Sequence, residues 1–267
     1  MRQILLHPGF HKTGTSSIQH FLWHNRDVLA PHLTVILLRH LKPVVRDCAR
    51  FSRFGNPADL INYVDDMDDA CTQAGVAPDK NILVSCEGLL GHIPGWPNVA
   101  DYSAAPTLLS YAAGYFAERF PDAQTRVVLT VREANAWLFS AYRHLLLRHR
   151  ITDDFDTFAE TYENAATFPK LIAEITQTLA PLPVQALPLW EMRDHPGGPG
   201  AAIADLVPLP SVVRGQLQPV GEGNAGPPRH LWQDFLAFNR SALPDDAVRL
   251  RKTALARQHN LGGWAEL

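Results

Sequence analysis

The chain has 267 residues, of which 46% are hydrophobic and 19% are charged, and its formal net charge is −3. This length and composition suit one globular domain, and the charge argues against non-specific attraction to nucleic acid or to an anionic membrane. The three cysteines are widely spaced without a CxxC pair, the N-terminal apolar run is short, and no apolar stretch reaches about 18 residues. These features predict a cytoplasmic protein that has no disulfide, no metal site and no integral membrane segment.

The predicted elements begin with a buried strand at residues 4–7, a loop with two glycines and a helix that starts at Thr15. Further strands are predicted at residues 33–38, 81–85, 126–131 and 184–187. Helices are predicted at residues 60–75, 106–120, 135–150, 155–164, 168–179, 229–240 and 245–259, and the basic segment before residue 60 is interpreted as irregular. This alternation predicts a three-layer α/β/α fold around a mainly parallel sheet. We expect residues 1–267 to form a single α/β domain, with a mostly helical C-terminal extension from about residue 191.

The stretch HPGFHKTGTSSIQ, residues 7–19, lies where open parallel sheets bind ligands, between a strand's carboxyl end and a helix N-terminus. Gly9 and Gly14 let the backbone approach an anion, Lys12 adds a positive charge, and the hydroxyls of residues 15–17 add donors. An ATP-binding P-loop needs its lysine directly after the second glycine, and here that position holds a threonine. The loop is therefore interpreted either as an anion cradle of another kind or as a tight turn with a solvated lysine.

A second candidate anion site follows the strand RVVLTV. Arg132 comes directly after that strand, and Ser140 follows eight residues later on a predicted helix. A guanidinium and a hydroxyl placed in this way can converge on one phosphate. On its own, the pair is equally typical of a surface arginine and an ordinary helix serine.

Together, HKTGTSSIQ and VVLTVREANAWLFSAYR resemble the sulfotransferase family, in particular bacterial members with a loop of the form HKTGTTSIQ. The resemblance covers residues 4–187 and implies a P-loop-like loop that binds 3′-phosphoadenosine 5′-phosphosulfate (PAPS), which leaves as 3′,5′-ADP. By this resemblance the 5′-phosphosulfate is held by Lys12, Thr13, Gly14, Thr15 and Ser16, and the 3′-phosphate by Arg132 and Ser140.

The reaction also needs a base that takes the proton of the acceptor hydroxyl. Glu87 follows the strand NILVSC, where members of the family carry a catalytic histidine or glutamate, so Glu87 and Lys12 are the candidate catalytic residues. Lys12 would also neutralise charge on the bridging oxygen of the donor. Two alternatives stay open: Glu87 as the first charge of a short helix, and His92 or His11 as the base.

The acceptor is expected to be a hydroxyl of a small molecule, a saccharide or a lipid-linked molecule. The basic residues near the end of the helix at 135–150, among them Arg143, Arg148 and Arg150, are interpreted as favourable helix C-terminal charges. An acidic acceptor is the second interpretation of this basic end. Arg251-Lys252 and Gly262-Gly263-Trp264 do not match the spacing of the segment that closes over the donor in many cytosolic sulfotransferases, and receive no role. The alternative function is a P-loop small-molecule kinase or a non-catalytic nucleotide-binding module.

Overall fold

The computed structural model describes residues 1–221, 227–259 and 261. The strands are β1 (Gln3–His7), β2 (Leu33–Leu37), β3 (Asn81–Ser85), β4 (Gln124–Val131) and β5 (Val184–Pro188). The α-helices of the described residues are α1 (Thr15–His24), α2 (Arg26–Leu29), α3 (Lys42–Phe54), α4 (Tyr63–Gln73), α5 (Ala105–Arg119), α6 (Ala134–Arg148), α7 (Phe155–Tyr162), α8 (Phe168–Leu179), α9 (Leu189–Arg193), α10 (Gly198–Ala204), α11 (Ser211–Arg214), α12 (Trp232–Arg240) and α13 (Asp245–Gln258). Short 3-10 turns lie at Pro57–Leu60, Glu87–Leu90, Asn164–Ala166 and Arg229–Leu231.

The five strands form one sheet in the order β2-β3-β1-β4-β5, and all neighbours run parallel. β1 is central, with Ile4 opposite Ile82 of β3 and Leu5 opposite Arg126 of β4. After β1 the chain moves to β2 at one edge, whereas after β4 it moves to β5 at the other edge. The carboxyl ends of β1 and β4 therefore flank the point where connections diverge, which is where open α/β sheets bind ligands.

Helices cover both faces of the sheet. Successive side chains of a strand point to opposite faces, and Ile4 and Leu6 lie in a core formed with α3, α4, α5, α6 and α8. Leu5 lies in a second core formed with α1, α2, α9 and α10. This arrangement confirms the predicted three-layer α/β/α fold with a parallel sheet. Within the described residues, no helix combines the length and the apolar character needed to cross a bilayer.

The segment between β2 and residue 60 differs from the prediction. Residues 42–54 form helix α3 rather than irregular chain, with a proline in its first turn. Val44 and Cys48, one turn apart, are buried, whereas Arg46 and Arg50 are exposed. Because basic residues fill the exposed face of α3, the few apolar positions do not show a clear helical period in the sequence.

The helices that follow β5 complete both layers of the fold. α10 lies so close to α1 that a Cβ on Gly200 would be 2.2 Å from the Cβ of Phe21. At the end of α6, Asn239 Nδ2 donates to the carbonyl of Ile151 at 2.8 Å and Lys252 Nζ donates to the carbonyl of His149 at 2.7 Å. These bonds hold α12 and α13 against the end of α6, where helical carbonyls lack partners. Gly262-Gly263-Trp264 and residues 222–226 lie outside the described residues.

Candidate functional site

The loop between β1 and α1 has left-handed backbone at Gly9 (φ +60°), Lys12 (φ +66°) and Gly14 (φ +95°). A Cβ on Gly9 would lie 2.6 Å from Thr15 Cγ2 and 2.7 Å from Thr130 Oγ1, so a side chain at this position would collide with its neighbours. The loop therefore keeps close to the ends of β1 and β4, along a path that its glycines permit.

Thr13 fixes this loop from the inside. Its side chain is buried, its hydroxyl donates to the carbonyl of Phe10 at 2.5 Å, and its Oγ1 lies 2.7 Å from Thr130 Oγ1. The amide of Thr13 also bonds to the carbonyl of Phe10, at 3.3 Å. Since its hydroxyl and its amide are both used within the protein, Thr13 holds the shape of the loop.

The N-terminus of α1 offers unpaired donors. Gly14 is the N-cap, and no side chain caps the helix. The amides of residues 14–17 make no hydrogen bond to another residue that the structure describes. Thr15 is buried, whereas Ser16 is exposed at the same end. These N–H groups and the positive end of the helix dipole form a place for an anion.

The ammonium of Lys12 lies half-buried among other charges. Burial lowers the pKa of Lys12 to about 8; Glu87 opposes this change, and Arg143 and Arg132 add to it. The predicted residues Lys12, Glu87 and Arg132 are therefore neighbours in the fold, although they lie far apart in the sequence.

Arg132 connects the second candidate anion site to the loop. Its Nη1 donates to the carbonyl of Lys12 at 3.2 Å. Trp137, on the first turn of α6, donates from Nε1 to the carbonyl of His11 at 2.8 Å, so this face of α6 is turned toward the loop. Ser140 follows one turn later on that face and is buried, and its hydroxyl bonds to no other described residue. Arg132 and the face of α6 that carries Trp137 thus both contact the loop, and the side chains of Arg132 and Ser140 share no hydrogen bond within the described residues.

Glu87 lies at the carboxyl end of β3 as the first residue of the turn Glu87–Leu90. Glu87 therefore begins a short helical turn, as the alternative prediction for this residue stated. Gln19 Nε2 donates to Glu87 Oε2 at 2.5 Å, which ties the carboxylate to α1. This bond leaves the second carboxylate oxygen of Glu87 available to a ligand.

The two alternative bases are His11, in the loop next to Lys12, and His92, which follows the turn Glu87–Leu90. His11 Nδ1 is 3.3 Å from the hydroxyl of Tyr102, and His92 stacks on Trp96. Burial lowers the pKa of His11 to about 3 and that of His92 to about 4, so both imidazoles are neutral at pH 7. Neutral rings with such low pKa values are weak proton acceptors.

Besides Lys12 and Arg132, other cations lie near the site. Arg143 and Arg148 were assigned to a helix end, yet their charges lower the pKa of Lys12, and Arg193 on α9 lowers the pKa of Arg132, for which burial is the larger cause. Arg143 Nε is buried without a hydrogen-bond partner among the described residues. The described residues contain no group of three or more His, Cys, Asp or Glu side chains that could hold a metal ion.

The helical spacing of residues in α6 could have indicated part of this site from the sequence. Trp137, Ser140 and His144 recur at intervals of three and four residues, and Arg148 follows four residues later. Burial lowers the pKa of His144 to about 2, and the nearby Lys12 contributes to this shift. One face of α6 therefore lines the site along its whole length.

The chain is similar in fold to a solved structure, that of a sulfotransferase from Alicyclobacillus acidocaldarius. The identity is 15% and the TM-score is 0.45, with 97% of this chain and 92% of that chain covered. No protein-family model matches the chain, and a search of curated proteins returned no match. What the site does is therefore argued from its own residues.

Proposed function

We propose that this chain is a sulfotransferase that moves a sulfuryl group from PAPS to a hydroxyl acceptor, such as a saccharide or a lipid-linked molecule. The observation that carries the proposal is the bond of 3.2 Å from Arg132 Nη1 to the carbonyl of Lys12. It brings Arg132 to the loop that carries Lys12, so that Lys12 and the helix amides would form one anion site and Arg132 with the unused hydroxyl of Ser140 would form the other. A donor with phosphate groups at its 5′ and 3′ positions needs two such sites.

The residues present fit such a donor. Lys12 and the amides of residues 14–17, with the hydroxyls of Thr15 and Ser16, would hold the 5′-phosphosulfate, while Thr13 keeps the loop in shape. Arg132 and Ser140 would hold the 3′-phosphate. When bound, PAPS supplies the sulfuryl group: the acceptor oxygen bonds to sulfur, the bond from sulfur to the bridging oxygen breaks, and its electron pair leaves with 3′,5′-ADP.

The chain's own residues would then act on charge and on the proton. Lys12 stabilises the negative charge that develops on the bridging oxygen. Glu87 takes the proton of the acceptor hydroxyl, so that the product is a sulfate ester. Gln19 holds the carboxylate in place through its bond of 2.5 Å.

Thermal unfolding with 3′,5′-ADP, with ATP and with ATP plus Mg²⁺ tests the proposal. At about 100 times its dissociation constant, 3′,5′-ADP should stabilise the protein by about 2.7 kcal/mol, a rise in Tm of roughly 5–10 °C. Arg132→Met should lose most of this rise. Arg126→Met, near the other end of β4, is the control and should keep it.

Two other results would contradict the proposal. A larger stabilisation by ATP that depends on Mg²⁺ would favour the small-molecule kinase. Binding of 3′,5′-ADP without sulfuryl transfer to any acceptor of a broad hydroxyl panel would favour the non-catalytic module.

A further inference from the structure

The structure also contains a large cavity whose walls include none of the residues proposed to bind the donor. A cavity of about 990 Å³ opens between the end of α6, the loop at residues 95–100 and helix α13. Its walls include Trp96, Tyr162, Arg148, Arg249 and Lys252. Its volume suits a ligand of one or two sugar rings, and the ring of Tyr162 offers flat apolar surface against which such rings pack.

Arg148 connects the cavity with the surroundings of Lys12. Arg148 lines the cavity, and its positive charge also acts on the ammonium of Lys12. A row of rings leads the same way: His149 lies against Trp96 with ring centroids 3.5 Å apart, and Trp96 stacks on His92 at 4.1 Å. His92 follows the turn Glu87–Leu90 in the chain, and its pKa is lowered by burial and, to a smaller extent, by His11, the neighbour of Lys12 in the loop. These contacts lead from the cavity wall to His92, near the turn that begins at Glu87.

The walls of the cavity carry more positive than negative charge. They include Arg148, Arg150, Arg249 and Lys252 against only Asp245 and Asp246. Asp245 is already paired with Arg150 at 2.6 Å. The ammonium of Lys252 is held by the carbonyl of His149 at 2.7 Å and by Asn239 Oδ1 at 2.9 Å.

Arg249 differs from these paired cations. It is exposed at the cavity wall, and its guanidinium has no hydrogen bond or ion pair with another described residue. An arginine in this situation is available to a carboxylate or sulfate, to which it can donate two parallel hydrogen bonds.

We propose that this cavity is the acceptor subsite and that it takes a glycoside with a fixed negative charge, which Arg249 binds while the acceptor hydroxyl faces Lys12. This inference rests on the proposed sulfotransferase function and names the chemical class of its acceptor. It agrees with the second interpretation of the basic end of α6, an acidic acceptor, since Arg148 and Arg150 also line the cavity.

Binding of two matched probes tests the charge preference without any donor. We would titrate 4-nitrophenyl β-glucuronide and 4-nitrophenyl β-glucoside by calorimetry, since they differ only in the carboxylate. The glucuronide should bind at least about tenfold more tightly than the glucoside. Arg249→Glu should weaken glucuronide binding roughly ten- to a hundredfold and leave glucoside binding within about twofold.

Arg251→Glu is the matched control, because Arg251 is exposed on the same helix and does not line the cavity. It should leave both affinities unchanged. Equal affinities for the two probes, no binding of the glucuronide, or the same loss in both variants would overturn the inference. Binding of 3′,5′-ADP to the same samples is measured separately: its absence would refute the proposed function and leave the charge preference of the cavity readable.

Discussion

Replacing Gly9 with alanine tests how closely the loop after β1 packs on the end of β4. The new Cβ would lie 2.6 Å from Thr15 Cγ2 and 2.7 Å from Thr130 Oγ1. Neither side chain can move away freely. Thr130 Oγ1 is bonded to Thr13, and Thr15 is buried in the first turn of α1.

Two effects add in this variant. A left-handed backbone costs a residue other than glycine about 1–2 kcal/mol. Forcing an extra methyl group into a packed region costs about 1–3 kcal/mol more. We therefore expect Gly9→Ala to lower the free energy of unfolding by roughly 2–5 kcal/mol, as measured by urea denaturation followed by circular dichroism.

Gly75→Ala separates the two effects. Gly75 has φ +68°, close to the +60° of Gly9, but a Cβ there would meet no atom within 4 Å. This variant should therefore show the backbone cost alone, and the difference between the variants, about 1–3 kcal/mol, measures the packing of the loop. Equal losses in both variants would refute the close packing that we attribute to Gly9.

Three predictions concern the proposed reaction. Lys12→Met should lower turnover more than it lowers affinity for 3′,5′-ADP; lost binding with unchanged turnover of bound donor would contradict the role of Lys12 at the bridging oxygen. Because the pKa of Lys12 is about 8 in the free protein, its charge is present below pH 8 and lost above it. Affinity for 3′,5′-ADP, measured by calorimetry from pH 7 to 9.5, should therefore fall by up to about tenfold per pH unit above 8. An affinity that does not change with pH would contradict a role of the Lys12 charge in binding. Glu87→Gln should reduce turnover by about 10²–10⁴-fold with 3′,5′-ADP affinity unchanged, whereas a larger loss in His92→Asn would assign the base to His92.

The sequence predicted the elements around β1 and β4 well, because strand, loop and helix are each specified by neighbouring residues. It also placed Lys12, Glu87 and Arg132 each after a predicted parallel strand, and the carboxyl ends of such strands share one edge of the sheet. The inward hydroxyl of Thr13 was not predicted. Its direction depends on Thr130, which lies 117 residues further along the chain.

Arg193 and Arg143 were not assigned to the site for related reasons. Arg193 joins the site because α9 follows β5 at the same edge of the sheet as Arg132, and this proximity depends on strand order rather than on a local pattern. Arg143 lies three residues after Ser140, a spacing that is visible in the sequence. It was assigned to the helix end because a basic helix C-terminus is favourable without any ligand.

The contact between Gly200 and Phe21 affects how the nascent chain folds during synthesis. α1 leaves the ribosome early, but α10, which packs on it at this glycine, is made roughly 10–40 s later at 5–20 residues per second. Until then one apolar face of the growing sheet lacks part of its cover, and the uncovered part is exposed to aggregation or to chaperones. The glycine- and proline-rich segment around α10 thus sets the time at which this face of the sheet is fully covered.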